Sequence, residues 1–285
     1  MKKIELYYFS GTGNSLHIAK EIQRGIPEVE LIPMISLLDQ PRIKTDAEVV
    51  GMVFPLYLTT IPKPVDDFIE KLDMTSAEYT FSVITRIGYF SVANVYMDRV
   101  LKKRGRSLDA TFLLNMANNS PTGLKPIANQ KWIHEITMEK INVLEDKVQE
   151  NLKLIIDRIL MREKIHSKGT MSLVSRIIEP IMTKITKNQR TEIPFYSDSD
   201  CTRCGICENV CPSGKIKRID SKITWEESVQ CYFCYACFNF CPSQSILVGK
   251  KYTQKNGRYH HPDVNQDEIS AQKLDNGYIM DHFKN

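Results

Sequence analysis

Ile4-Glu5-Leu6-Tyr7-Tyr8-Phe9-Ser10-Gly11-Thr12-Gly13-Asn14-Ser15 opens the first half of the chain. A short apolar run that stops at a Gly-rich turn reads as a buried strand. Helical spacing follows over Leu16–Gln23, with Leu16, Ala19 and Ile22 on one face. Val29–Ile32 is a second strand candidate. Glu48–Phe54 is a third, and its near-continuous apolar character marks a strand covered on both faces. A helix over Pro64–Leu72, a strand over Tyr79–Thr85, a helix over Ser91–Lys103 and a strand over Thr111–Met116 complete the run. This βαβα rhythm predicts a doubly wound parallel α/β sheet of five strands.

Beyond residue 130 the pattern becomes helical. Ile141, Leu144, Val148, Leu152, Ile155 and Ile159 step by three and four, which predicts one long helix from about Lys131 to Lys164. Ser172–Lys187 has helical spacing interrupted by Pro180, so a kink or two short helices is expected. Thr191–Asp200 reads as a linker. Asn256–Asn285 reads as a polar tail with one short helix near Gln266–Lys273.

The turn Ser10-Gly11-Thr12-Gly13-Asn14-Ser15 joins the first strand to the first helix. Backbone N–H groups and hydroxyls at such a turn can cradle an anion, and the helix N-terminus adds positive potential. A dinucleotide fingerprint needs a third glycine where Leu16 stands, and no Gly-Lys-Ser/Thr follows for a P-loop. Three hydroxyls within six residues suit a dianionic monophosphate, which favours FMN over NAD or FAD.

All eight cysteines lie between 201 and 241, in two copies of one pattern. The copies are Cys201-x-x-Cys204-x-x-Cys207-x-x-x-Cys211-Pro212 and Cys231-x-x-Cys234-x-x-Cys237-x-x-x-Cys241-Pro242. Two residues between ligands let a tight turn present three thiolates to one iron–sulfur cube, and the fourth cysteine serves the other cube. Cluster I is therefore assigned to Cys201, Cys204, Cys207 and Cys241. Cluster II is assigned to Cys231, Cys234, Cys237 and Cys211. A structural zinc site usually takes separated Cys-x-x-Cys pairs, and a disulfide framework needs an oxidising compartment. Neither fits as well as two [4Fe–4S] clusters. Tyr232, Phe233, Tyr235, Phe238 and Phe240 interleave the second run and are expected to shield cluster II from water.

Of 285 residues, 42% are hydrophobic and 25% charged, with a net charge of +4. No apolar stretch approaches the length of a membrane span. The N-terminal apolar run is too short for a signal-peptide core, so a cytoplasmic location is expected. A basic excess between 121 and 190 could favour an acidic partner, although a solvated helix face explains it more simply. No nucleic-acid motif or dense basic cluster is present, so nucleic-acid binding is not expected. The six histidines show no ligand spacing and read as structural or surface residues. No catalytic triad or metalloprotease motif occurs.

Residues 7–24 resemble the flavodoxin FMN-phosphate loop, Ser/Thr-x-Thr-Gly-x-Ser/Thr. Phe54-Pro55-Leu56-Tyr57 with Ile61-Pro62-Lys63-Pro64 resembles the loop after the third flavodoxin strand. The whole chain, including its closing Gly257-Arg258-Tyr259-His260-His261-Pro262, is similar to the flavodoxin–ferredoxin fusion family. That resemblance implies a flavodoxin-like sheet in 2-1-3-4-5 order and a small α+β two-cluster ferredoxin domain. The implied division is 1–166 for the FMN domain, 167–196 for a helical linker, 197–252 for the ferredoxin domain and 253–285 for a tail. Carried over by position, Ser10, Gly11, Thr12, Gly13, Asn14 and Ser15 would bind the FMN phosphate. Pro55, Leu56 and Tyr57 would flank the isoalloxazine, with Tyr57 stacked on or near it. Thr85, Arg86, Ile87 and Gly88 would form the second flavin loop. Arg86 would either place positive charge near the flavin or point to solvent. Asn118–Gly123 departs from the flavodoxin pattern and reads as a turn, with flavin contact as the alternative.

The implied role is low-potential electron transfer between two [4Fe–4S] clusters and FMN, serving redox protein partners. Two alternatives stand beside it: a flavin-dependent reductase of a small molecule, and a cluster-only protein whose flavodoxin-like domain carries no flavin.

Overall fold

A computed structural model of the chain describes residues 3–57, 59–88, 91–119, 137–165, 177–184, 195–249 and 258–274. The strands are β1 Ile4–Tyr8, β2 Val29–Pro33, β3 Ile43–Lys44, β4 Val49–Pro55, β5 Leu72–Asp73, β6 Tyr79–Arg86, β7 Ala110–Asn115, β8 Phe195–Ser197, β9 Ile216–Ile219, β10 Lys222–Trp225 and β11 Ile246–Val248. The helices are α1 Asn14–Gly25, α2 Lys63–Lys71, α3 Ala93–Lys102, α4 Met138–Leu160, α5 177–184, α6 Ile206–Asn209, α7 Ala236–Asn239 and α8 Gln266–Ala271.

The five-stranded sheet runs β2-β1-β4-β6-β7, and every pairing in it is parallel. In order of sheet strands this is 2-1-3-4-5, the flavodoxin-like order, with its switch point between β1 and β4. All seven residues of β4 are buried, as its unbroken apolar sequence requires of a strand covered on both faces. The two-residue strands β3 and β5 pair beside the sheet. They are too short to leave a periodic signal, and sequence reading misses them.

α4 starts at Met138, where the Thr137 hydroxyl accepts the Lys140 N–H as an N-cap. It buries Ile141, Val148, Leu152, Ile155 and Ile159. The expected start at Lys131 lies outside the described residues. α5 is helical through Pro180, while 172–176 and 185–187 lie outside the described residues.

The cysteine-rich unit is bracketed by the antiparallel pair β8–β11 and carries the β9–β10 hairpin. Asp220 and Ser221 both have positive φ at its two-residue turn, the primed geometry that suits a right-twisted hairpin. The unit is an internal repeat with an offset of thirty residues. α6 and α7 occupy equivalent places. Left-handed backbone recurs at Arg203 and Phe233, at Gly205 and Tyr235, and at Gly214 and Gln244. Glycine accepts this conformation freely; Tyr235 and Gln244 hold it against their Cβ.

The two halves share one core. Val210, Cys234, Ala236, Phe240, Val264 and Ile269 pack into the same buried cluster as the sheet residues. A second, smaller cluster lies inside the cysteine-rich unit around Ile216, Phe238, Ile246 and Val248.

Candidate functional site

The eight cysteines gather into two groups. One cavity is lined by Cys201, Cys204, Cys207 and Cys241, together with Ile206, Ile223 and Ile246. The other is lined by Cys211, Cys231, Cys234 and Cys237, with Phe195, Trp225, Tyr232 and Tyr235. Each group takes three cysteines from one run and the fourth from the other. None of the eight is paired in a disulfide. The tight turns supply backbone donors to sulfur: Phe233 N–H to Cys231 Sγ at 3.4 Å, and Ser245 N–H to Cys241 Sγ at 3.3 Å. Ser213 and Ser243 hydroxyls lie 3.6 and 3.7 Å from Cys211 and Cys241 Sγ, again thirty residues apart.

Burial pushes the Cys207 thiol up to about 12 and that of Cys231 up to about 11. Burial raises Cys234 and Cys237 further, and neighbouring cysteines add to the effect. Thiols packed this closely in apolar surroundings ionise readily only when positive charge sits among them. Soft sulfur donors converging on two small apolar cavities fit iron–sulfur clusters.

The two cavities differ in access. Thr202, Arg203 and Cys204 are exposed beside the first. Cys234 and Cys237 are buried in the second, Cys234 on the side that meets the sheet domain. Of the interleaved aromatics, Tyr232 and Tyr235 line the second cavity, and Phe195 packs within 6.5 Å of Phe233 and 5.8 Å of Tyr235.

The turn after β1 is differently placed from what its resemblance to a phosphate loop implies. Ser10, Thr12 and Ser15 are each 1% exposed. Ser10 Oγ accepts the Gly13 N–H at 3.1 Å, and Ser15 Oγ meets Thr85 Oγ1 at 2.7 Å. Asn14 Nδ2 donates to the Ala117 carbonyl at 3.0 Å, and Asn14 Oδ1 accepts from Tyr259 OH at 3.1 Å. The Thr12 hydroxyl accepts from Asn119 Nδ2. A Cβ on Gly11 would fall 2.8 Å from Tyr57 OH and 2.5 Å from the Cys234 carbonyl. One on Gly13, at φ 100°, would fall 2.9 Å from the Cβ atoms of His261 and Val264. The loop's side-chain hydroxyls and amides are thus bonded within the protein, and every residue from Ser10 to Ser15 is buried, which leaves the loop no open face. In this arrangement the loop does not fit the FMN phosphate.

The neighbouring residues are equally engaged. Tyr57 closes a bridge with Thr60 and packs edge-on to Phe9, with centroids 6.2 Å apart. Pro55 ends β4, and the Leu56 N–H donates to the Thr85 carbonyl at 2.8 Å. Thr85 is buried; Arg86 is half-buried at the end of β6, Ile87 is exposed, and Gly88 has φ 77°.

Three sequence expectations are corrected here. Residues 258–274 carry the expected short helix, α8, but pack into the protein where a polar tail is expected: Tyr259, Val264, Ile269 and Gln272 are buried. Asn119 is more than part of a turn, since it reaches Thr12 while its carbonyl accepts from Asn239 Nδ2 at 2.8 Å. His261 is not a surface residue, being 1% exposed and stacked on His17 with centroids 3.9 Å apart. The ligand atoms of His17, Glu145 and His261 lie within 4.8 Å of one another. Rings tilted by only 19° cannot both aim in-plane lone pairs at one ion, and His261 Nδ1 accepts the Asp263 N–H. That fixes Nε2–H on the Glu145 side, so the trio is a hydrogen-bonded clasp. No short-range pattern could have revealed these contacts, which join residues more than a hundred positions apart.

Residues 200–246 match the family described as the 4Fe-4S dicluster domain. No curated protein is similar to the chain. Among solved structures, a putative flavoprotein from Bacteroides uniformis is 15% identical, with 41% of this chain and 92% of that one covered at a TM-score of 0.29. The two-electron reduced flavodoxin of Megasphaera elsdenii is 15% identical over 39% of this chain and 84% of its own, at 0.29. A Streptococcus pneumoniae flavodoxin is 16% identical over 52% and 95%, at 0.31. The flavodoxin-like order itself rests on the strand pairing. The chain joins a flavodoxin-like α/β domain to a 4Fe–4S ferredoxin-type domain. Among the described residues no helix is long and apolar enough to cross a membrane.

Proposed function

We propose that this chain is an electron carrier holding two [4Fe–4S] clusters, which accepts electrons from one protein partner and delivers them to another. Cluster I takes Cys201, Cys204, Cys207 and Cys241; cluster II takes Cys231, Cys234, Cys237 and Cys211. The observation that carries this reading is the crossed grouping of the cysteines about two cavities. Clusters of this type exchange single electrons, and the protein's part is to position them, limit water and supply N–H donors to sulfur. The exposed rim at Thr202–Cys204 is the face at which a partner approaches cluster I. Cluster II lies deeper, against the sheet domain.

The flavodoxin-like sheet and the Ser-Gly-Thr-Gly-Asn-Ser sequence favour a second reading, in which FMN sits at the carboxyl edge of the sheet and couples one- and two-electron chemistry. A reductase acting on a small molecule would be a form of it. This reading requires the loop to shed the contacts that now fill it.

Anaerobic purification with iron and sulfide quantified per chain tests the first reading. About eight irons and eight sulfides, with coupled reduced-cluster spectra, are expected. Four or fewer irons in fully folded protein would refute it.

A further inference from the structure

We infer that the Ser10–Ser15 loop of this chain is the seat of its own C-terminal segment, 258–274, and binds no flavin phosphate. The seat is built at four points. Gln272 is fully buried, and its side-chain amide brackets the Ser10 peptide: the Ser10 N–H donates to Oε1 at 2.9 Å and Nε2 donates to the Ser10 carbonyl at 2.9 Å. The His261 N–H donates to the Thr12 carbonyl at 2.8 Å. Tyr259 OH donates to Asn14, and Val264 packs on the bare face of Gly13. A side-chain amide pairing with the N–H and the C=O of one residue imitates a strand neighbour, and leaves that residue's backbone no donor for a phosphate.

The same segment is fixed on its other side to the cluster domain. The Tyr259 N–H donates to Asn239 Oδ1 at 2.9 Å. Arg258 lies over the Phe238 ring at 3.3 Å and donates to the carbonyls of Phe238 and Gln244 at 2.7 and 2.8 Å. His260 stacks on Phe240 with centroids 4.4 Å apart. Residues 258–261 therefore rivet α7 to the loop. A phosphate dianion needs several converging N–H and O–H donors and the volume of its own oxygens. Here the Ser10 and Gly13 N–H groups and the Thr12 hydroxyl are engaged within the protein, every residue from Ser10 to Ser15 is buried, and Cys234, His261 and Val264 press on the bare faces of Gly11 and Gly13. A sequence that elsewhere suits a nucleotide serves in this chain as a joint between its domains.

The inference does not rest on the number of clusters. It is tested by releasing flavin from protein purified with its iron in place, and by titrating that protein with FMN while following flavin fluorescence. No flavin at release and no quenching are expected. One flavin per chain, or saturable quenching at one equivalent, would overturn the inference whatever the iron content. Hydrogen exchange gives a second readout. In Gln272→Ala the amides of residues 10–14 should exchange about tenfold faster, as expected for loss of net hydrogen bonding at one site, with sheet amides unchanged. Tyr259→Phe, a milder change, should shift the same amides in the same direction. Unaltered exchange in both variants would overturn it.

Discussion

The Cys234 carbonyl lies 2.5 Å from where a Cβ on Gly11 would stand, and Cys234 Cβ lies 2.8 Å from it. The loop after β1 and a cysteine of the second cavity are therefore in backbone contact. Both partners are main chain or its first side-chain atom, so neither can swing aside. Gly11→Ala must push the domains apart locally, at a cost of about 1–3 kcal/mol for overpacking. The variant should melt several degrees lower and alter the spectrum of cluster II while leaving that of cluster I. A wild-type melting temperature with both spectra unchanged would contradict the observed docking.

The crossed cysteine grouping has a sharp consequence. Cys241→Ser should remove cluster I, whose other ligands lie in the first run, and Cys211→Ser should remove cluster II. The two can be told apart by access. Cys204, beside the first cavity, is exposed, whereas Cys234 and Cys237 in the second are buried. The cluster left in Cys241→Ser should resist an iron chelator, and the one left in Cys211→Ser should yield to it quickly. The opposite pattern would show uncrossed ligation.

Sequence periodicity carried the sheet domain well because its central strands are covered on both faces. β4 is apolar at nearly every position for that reason. The cysteine runs were equally legible, since ligand spacing is local. The reading of Ser10–Ser15 as an open phosphate loop did not anticipate its burial. A loop motif reports what its backbone can do, and Gln272 and His261, which occupy it, lie some 250 residues away. The same holds for His17 and His261. His17 lies between the buried Leu16 and Ile18, but nothing beside His261 signals burial, and only the fold stacks the two rings. Glu145 sat on the apolar helix pattern of α4 as an unremarked charge, although its two oxygens meet both rings.

That carboxylate gives the protein an acid limit. Burial opposes ionisation of Glu145, but hydrogen bonds from His17, His261 and Gln149 outweigh it and hold its carboxyl well below the usual range. Asp263 faces the same clasp, 3.6 Å from His17 Nδ1. A folded pKa below the unfolded value of about 4.3 gives stability that is present above that pH and is lost as pH falls further. The gap between wild-type and Glu145→Gln melting temperatures should therefore hold from neutrality to about pH 4 and narrow steadily as pH falls below that. A gap that stays constant below that pH would remove Glu145 as the titrating group.

Among the described residues, a charged contact ties the helix 177–184 to the sheet domain. Arg99 on α3 donates to both Glu179 oxygens, from Nε at 2.9 Å and Nη2 at 3.0 Å, and Thr183 adds a third hydrogen bond at 2.9 Å. Glu179 is 1% exposed, whereas the Arg99 side chain is 43% exposed. Arg99→Ala strands a buried carboxylate. The full penalty for an unpaired buried charge is about 3–5 kcal/mol, and water reaching the vacated arginine site should reduce it to about 2–3 kcal/mol. Hydrogen exchange should quicken through 177–184 while the sheet stays protected. Replacing both partners together, as Arg99→Met with Glu179→Met, removes the stranded charge and should recover most of the loss. If the double variant is as unstable as Arg99→Ala, packing of the arginine stem, and not the ion pair, holds this helix in place.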